Sequence, residues 1–432
     1  MATASRLAPL PASFFALPLK STEPSGISEA IDWPASLLAI SQAAFGKETA
    51  ARISRESIGR DADAFRRARN AATIGKPKQA EGLFAACRAV VHYLGMLDKL
   101  EAAAGAEGVR RGGGANLHFV WRNAFSFVER KLHAGSLAFE RAGLYFNLGA
   151  MLTIYATSVD VELQATAHAL QCAAGCISEA RAHAELVADG ATSLTPLTED
   201  MRPPCLGAVE NLLLGQAQVC FAERAASASP AVQVKLWGQA ALFLRNARDA
   251  LPASLARADR AHIGALASFC LARAHGCAGT LRRAERQHGV AVAHLALALS
   301  LLDAARASAS PSGALREQVE MARVPLAVDC ECARRENDRI YFEREPPAAE
   351  LARSIECTCM VRPLPLDRLG AIMGEHVRDD STHDLLHTWP TPDAAAGRGA
   401  GPESDAADGA AANGAPTPSE SDAHADGAEA RA

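Results

Sequence analysis

The 432-residue sequence predicts a mainly α-helical protein, an antiparallel, TPR-like array of helices with one small β-sheet. Three observations carry this expectation. Ala is abundant and aromatic residues make up only 5% of the chain, a composition that favours helix over strand. Between positions 35 and 310, apolar residues recur at three- and four-residue steps in successive segments separated by short breaks. Two short segments outside that region switch to a two-residue period, the signature of a pleated strand.

The elements follow in order. Near the start, Phe15, Leu17 and Leu19 alternate, and Pro18 restricts that segment to a sheet edge because it lacks a ladder donor. The stretch GVRRGGGAN (108–116) is Gly-rich but lacks the GK[ST] ending of a phosphate loop, so it is expected to be a flexible insertion. In the next helix, Leu144, Leu148, Met151, Leu152 and Tyr155 form one stripe, while Phe139 and Phe146 lie off it. A helix apolar nearly all round belongs in the centre of a bundle. Leu214, Ala217 and Phe221 line a further helix over 211–224. Another begins at Ser229-Pro230, a good N-cap followed by a residue that needs no donor in the first turn. Segments 262–277, 286–305 and 313–338 are helical by pattern. Finally Ile355, Cys357, Cys359 and Val361 alternate with Glu356, Thr358, Met360 and Arg362, predicting a strand with one buried face. The sheet is therefore expected to join the two ends of the domain. Residues 389–432 mix Ala, Gly, Pro, Ser and Asp, cannot bury a core, and are expected to form a disordered acidic tail.

Charge and cysteine usage exclude several function classes. The whole chain carries a formal charge of −5. Eight acidic and two basic residues from Pro390 onward give the tail −6 and leave +1 for the rest, which does not read as a dedicated nucleic-acid binder. Eleven scattered Cys form no disulfide framework or zinc motif and read as reduced thiols packed as small hydrophobes. No apolar run reaches the roughly 18 residues of a bilayer span, so an integral membrane protein is not expected. The first twenty residues hold Ser, Ala and basic residues without an acid. They could belong to a transit segment, but an amphipathic Arg-rich helix is lacking. Ala2 excludes N-myristoylation and the Ala-Arg-Ala ending offers no prenylation box.

Catalytic signatures are missing as well. HExxH, GxSxG and a GxGxxG after a strand do not occur, so neither an enzyme nor a cofactor is expected. His383 and His387 sit four apart without a third ligand nearby and read as surface residues rather than a metal site. One helix stands out for its two apolar arcs. Val234, Trp237, Ala241 and Leu244 cluster on one side, and Val232, Leu236 and Phe243 on another roughly 140–150° away. The second arc is either buried by a neighbouring helix or left open as a groove for an amphipathic partner helix.

Five blocks then form a recognisable series: NLHFVWRNAFS (116–126), LAFERAGLYFNLGAMLTIYA (137–156), LLLGQAQVCFAERA (212–225), NDRIYFEREPP (337–347) and CMVRPLPL (359–366). In order and spacing they resemble the BRO (bro-one) domain of ALIX-like, ESCRT-associated proteins, here of the short, BRO-only type with the domain over 1–388. The resemblance implies a boomerang-shaped helical domain and a non-catalytic adaptor role. Such domains bind the C-terminal amphipathic helix of an ESCRT-III subunit of the charged multivesicular body class. They act in endosomal sorting and membrane remodelling, in the cytoplasm and at the endosome periphery. Carried over residue by residue, the docking positions fall on Phe221, Val232 and Leu236, with Lys235 placed to steer acidic residues of the partner. Val232 and Leu236 are members of the second arc. Tyr341 matches a tyrosine phosphorylated in the family and is expected here to be packed. The alternative role is a signalling scaffold of the Rho-binding or pH-signalling type.

Overall fold

The computed structural model describes residues 10–22, 31–73, 80–113, 117–126, 131–158, 161–189, 197–308, 313–351, 355–370 and 385–390. The acidic tail beyond Pro390 and His383 lie outside them. Helices α1 (Trp33–Phe45), α2 (Lys47–Ala50), α3 (Arg55–Thr73) and α4 (Ala80–Gly113) precede a hairpin of β1 (Phe119–Arg122) and β2 (Lys131–Ala134). There follow α5 (Leu137–Ala156), α6 (Leu163–Asp189), α7 (Pro203–Arg224), α8 (Pro230–Ala250), α9 (Arg257–Ala284), α10 (His288–Ser308), α11 (Gly313–Glu336) and the short α12 (Ala348–Leu351). From α5 to α11 each helix packs on the next, which with short connections gives the antiparallel array the periodicity predicts.

The all-round apolar pattern of α5 has the expected consequence: sixteen of its twenty residues are buried. Ser136 caps it by accepting from the Ala138 N–H at 3.2 Å. Ser229 and Pro230 start α8 as predicted, although the Ser229 side chain makes no capping bond. The Gly-rich stretch departs from expectation. Gly105, at φ 71°, breaks α4, and the chain then re-enters helix through Gly113 with Val109 buried. Residues 108–113 are thus helix rather than loop.

The sheet is small and antiparallel, with Val120 opposite His133 and Trp121 opposite Leu132. Its third contributor is the N-terminal segment, through a Thr22–Trp121 bridge and the Arg122 N–H donating to the Ser21 carbonyl at 3.0 Å. The C-terminal segment does not join it, which corrects the expected strand at 355–361. That segment and residues 14–20 are instead extended straps laid across helices, and their backbone groups bond mainly to helix side chains, with a few bonds to helix carbonyls, rather than to a ladder. Gln216 accepts from Phe15 N–H at 2.6 Å, Thr153 from Leu17 N–H at 2.9 Å, and Asn147 from Lys20 N–H at 2.7 Å. At the other end, Gln218 and Gln171 hold residues 358–362. An extended chain keeps a two-residue period whether or not it has a strand partner, so alternation alone cannot tell strap from strand.

Two glycines admit the C-terminal strap. A Cβ on Gly238 of α8 would collide with the Ile355 side chain, and one on Gly175 of α6 with the Leu364 carbonyl. The N-terminal strap is also part of the core. Leu17 is buried, and Lys20 is fully buried in an ion pair with Asp200. Between the sheet and α5 sits a closed polar cluster. The Arg69 Nε donates to Glu140 at 2.7 Å, and the Trp121 Nε1 donates to the other oxygen of the same carboxylate at 2.8 Å. Gly143, one turn on, leaves room for the Trp121 ring. At the far end Leu386 and Trp389 are buried, Trp389 edge-on to Phe45 at 5.9 Å, so the packed body includes one residue assigned above to the tail.

Among the described residues two helices, α7 and α10, are long and apolar enough to cross a membrane by length and composition, which the count of uninterrupted apolar residues overlooks. Both pack within the array, and α7 is 78% buried there over its most apolar stretch. Seven of the eleven cysteines are buried, in agreement with the small-hydrophobe expectation. Burial pushes the Cys87, Cys172 and Cys205 thiols up to about 12. Cys332, Cys357 and Cys359 are exposed.

His275 of α9 and His294 of α10 face each other in the core, their Nδ1 atoms 2.9 Å apart, so one ring donates and the other accepts. Burial lowers both to about 4, helped at His275 by His294 and at His294 by Arg282. The native state therefore holds them neutral while the unfolded chain protonates near pH 6.5. Stability is expected to fall as pH drops from about 6.5 towards 4, by up to about 3 kcal/mol per ring, and to level off below that. Urea midpoints across this range check the expectation. The His275→Leu/His294→Leu variant should flatten most of the slope, leaving the share of His183, which burial also lowers to about 4.

Candidate partner-helix docking surface

The proposed docking positions lie where α7 ends, α8 begins and the C-terminal strap crosses both. The first arc of α8 is core, with Trp237 and Leu244 fully buried and Val234 and Ala241 nearly so. The second arc is split. Val232, in the first turn of α8, is 45% exposed. Leu236, one turn later, is only 6% exposed, and Phe243 is half-buried. The strap runs beside Leu236: the Thr358 N–H donates to the Lys235 carbonyl at 3.2 Å. Leu236 is thus a buried residue, not an open anchor as the sequence reading requires. Phe221, on the last turn of α7, is half-buried against the core.

Gln218 organises the junction. It is fully buried one turn before Phe221, and its amide bonds three ways. Its Nε2 donates to the Thr358 carbonyl at 3.1 Å and to the Leu236 carbonyl at 3.4 Å, and its Oε1 accepts from the Met360 N–H at 3.0 Å. Helix and strap are locked in register, and Met360 is left 53% exposed. The apolar side chains at this junction are therefore Val232 and Met360, both open, and Phe221, half-buried. The sequence carried a signal for Met360: it is the one large apolar residue on the polar side of the 355–362 alternation. What placed it at this site is the Gln218 clamp, which no local pattern shows.

Lys235 is 43% exposed at its side chain and pairs with Glu356 of the strap at 2.8 Å. Its charge is already matched, and an exposed pair of this kind contributes little to stability. Gln233 ties the α7–α8 turn by donating to the Ala226 and Ala228 carbonyls at 2.9 and 2.8 Å. Tyr341 lies elsewhere, beyond the end of α11. It is 45% exposed and stacked on the His288 ring at 3.4 Å between centroids, so it is half out of the fold rather than packed away. His387 lies 3.4 Å from Arg60 through its Nδ1. Among the described residues no three His, Cys, Asp or Glu side chains converge as metal ligands.

The family model for the BRO1-like domain matches residues 14–388. The chain belongs to the BRO1-like domain family. Among curated relatives, this BRO1-like chain is 27% identical over 286 residues to ALG-2 interacting protein X of Dictyostelium discoideum, covering 62% of this chain and 35% of that protein. It is 28% identical over 259 residues to the vacuolar-sorting protein BRO1 of Arabidopsis thaliana (57% and 30% covered). It is 30% identical over 268 residues to the pH-response regulator protein palA/RIM20 of Emericella nidulans (57% and 29%). The matched stretch thus spans about a third of each relative's length. Among solved structures, the BRO1 domain of ALIX in its complex with CHMP4C superposes with a TM-score of 0.65 at 22% identity, over 82% of this chain and 96% of that one. The likeness establishes the helical BRO1 fold.

Proposed function

We propose that this BRO1-like domain is a non-catalytic adaptor that receives the C-terminal amphipathic helix of an ESCRT-III subunit on the surface formed by Phe221, Val232 and Met360. The observation that carries the proposal is local. Val232 of α8 and Met360 of the strap stay open to water, and Phe221 of α7 is half-buried, on the three segments that one buried amide ties together. An amphipathic helix reads such a surface with anchors one turn apart. A few such anchors carry most of the energy of an interface. Relatives named for vacuolar sorting, and the CHMP4C complex of the ALIX BRO1 domain, support this choice of partner and a place at endosomes. Leu236 supports the site from beneath by packing α8 against its neighbours, and Lys235 with Glu356 forms its polar rim.

The test is capture of a fluorescent peptide bearing an ESCRT-III C-terminal helix. Val232→Asp and Met360→Asp each place a charge on an exposed position, so the fold should be unaffected while affinity falls at least tenfold, about 1.4 kcal/mol or more. Unchanged affinity in both variants sinks the site. A second reading, a pH-signalling scaffold, is favoured by the likeness to palA/RIM20. A partner list from affinity capture that lacks ESCRT-III subunits would select it.

A further inference from the structure

Where the C-terminal strap crosses Gly238, a cleft of about 280 Å³ lies between α8, α9, α10 and the first residues of the strap. Its large apolar side chains are aliphatic: Leu242 of α8, Leu271 of α9, Leu301 of α10 and Ile355 of the strap, each half-buried. The strap side is fixed in place. The Thr358 N–H donates to the Lys235 carbonyl at 3.2 Å, and a Cβ on Gly238 would meet both the Ile355 side chain and the Cys357 Sγ. Cys357 lines this side and carries an exposed thiol.

The charged groups of the cleft have one sign. Arg245 and Arg248, one turn apart on α8, are its charged lining residues, and Ser268 of α9 adds a hydroxyl. Arg248 is occupied: its Nε and one terminal nitrogen meet the Asp249 carboxylate at 2.8 and 2.7 Å. Arg245 is exposed and, among the described residues, has no carboxylate within ion-pair distance. Apolar surroundings push the Cys357 thiol up, and the charge of Arg245 opposes that shift, which sets the guanidinium beside the strap wall. The acid of the strap, Glu356, is taken by Lys235 at 2.8 Å. The cleft thus offers aliphatic surface and one uncommitted positive charge.

Size decides what can use it. One turn of a helix about 10 Å across fills roughly 420 Å³, more than the cleft holds, so a partner helix does not enter, whereas a single unbranched chain does. Small-ligand sites combine such an apolar wall with a few placed polar groups. A guanidinium matches a carboxylate through two parallel hydrogen bonds. With Arg248 already paired, the free charge balances a monoanion rather than a phosphate dianion.

We propose that this cleft binds a small aliphatic carboxylate, its head on Arg245 and its chain along Leu242, Leu271, Leu301 and Ile355. The site is separate from the proposed peptide surface, since none of Phe221, Val232 and Met360 lines it.

The experiment uses the thiol of the cleft itself. In the full chain carrying Cys332→Ser and Cys359→Ser, Cys357 is the remaining exposed cysteine, and its rate of alkylation by iodoacetamide reports whether the cleft is filled. Octanoate should slow labelling in a saturable way, and octylammonium, with the same chain and the opposite charge, should not. Arg245→Gln in this background should raise the half-protecting octanoate concentration at least about tenfold. Its melting temperature should match that of its parent, because the side chain is exposed and unpaired. Val232→Asp should be protected like the parent, so failure of the peptide surface leaves this result standing. Four outcomes would each overturn the proposal: no protection by octanoate, equal protection by octylammonium, stronger protection by octyl phosphate, or unchanged octanoate protection in Arg245→Gln.

Discussion

Leu236→Asp is expected to destabilise the whole domain by more than about 3 kcal/mol, because it buries a carboxylate with no cationic partner in place of a packed leucine. Leu236 is 6% exposed, with the strap crossing beside it. The adjoining cation, Lys235, is already paired with Glu356. The variant should melt well below the wild type and lose the strap's register. Loss of peptide binding in this variant would therefore report on folding, not docking. Val232→Asp provides the contrast: at an exposed position of the same helix its effect on stability should stay within about 0.5 kcal/mol. Thermal melts of both variants beside the wild type check this. Equal melting temperatures for Leu236→Asp and wild type would mean that the strap lifts freely, and would restore Leu236 as an accessible anchor.

Glu140→Ala should have an effect of similar or larger size, about 3–5 kcal/mol. The Glu140 carboxylate is fully buried and bonds both the Arg69 guanidinium and the Trp121 indole N–H. Removing it leaves a buried cation and a buried donor without their partner in one step, which is far costlier than losing a surface ion pair. Arg69 also donates to Thr22 at 3.0 Å, so the damage should spread to the attachment of the N-terminal strap on the sheet. Glu140→Gln keeps acceptor and shape but not charge, and should lose roughly half as much. The double variant Arg69→Met/Glu140→Leu should recover part of the loss by removing the orphaned charge. Denaturant titration of the four proteins gives the ranking, and an undiminished midpoint for Glu140→Ala would contradict the role given to this cluster.

The helices were legible because their periodicity is local. The stripe on α5, the Ser-Pro start of α8 and the spans of α9 to α11 need only neighbours three and four residues apart. Family membership was legible too, in five short blocks whose contents now have physical reasons. Phe119 and Trp121 on β1, Glu140 and Gly143 on α5, and the Gln218 of QAQVCF each serve a contact between distant parts of the chain. The proposed docking surface was legible only in part. Two aliphatics one turn apart on α8 look equivalent in sequence, yet Val232 is open and Leu236 is closed. Leu236 belongs to the core cluster, and the strap that bonds to the helix beside it comes from residues more than a hundred positions away.

By itself, then, the sequence determined a helical array and its family and pointed to the neighbourhood of the proposed docking surface, since each of these depends on residue types at short, fixed spacings. Only the tertiary structure decided that the alternating ends of the domain are straps rather than strands, that Leu236 is buried while Met360 is open, and that Phe342 is held out in solvent. The reason is the same in all three cases. Whether an apolar side chain ends buried or exposed depends on which distant backbone lies over it, and that follows from long-range contacts such as the three bonds of Gln218 and the clamp of Asn337 on Glu343.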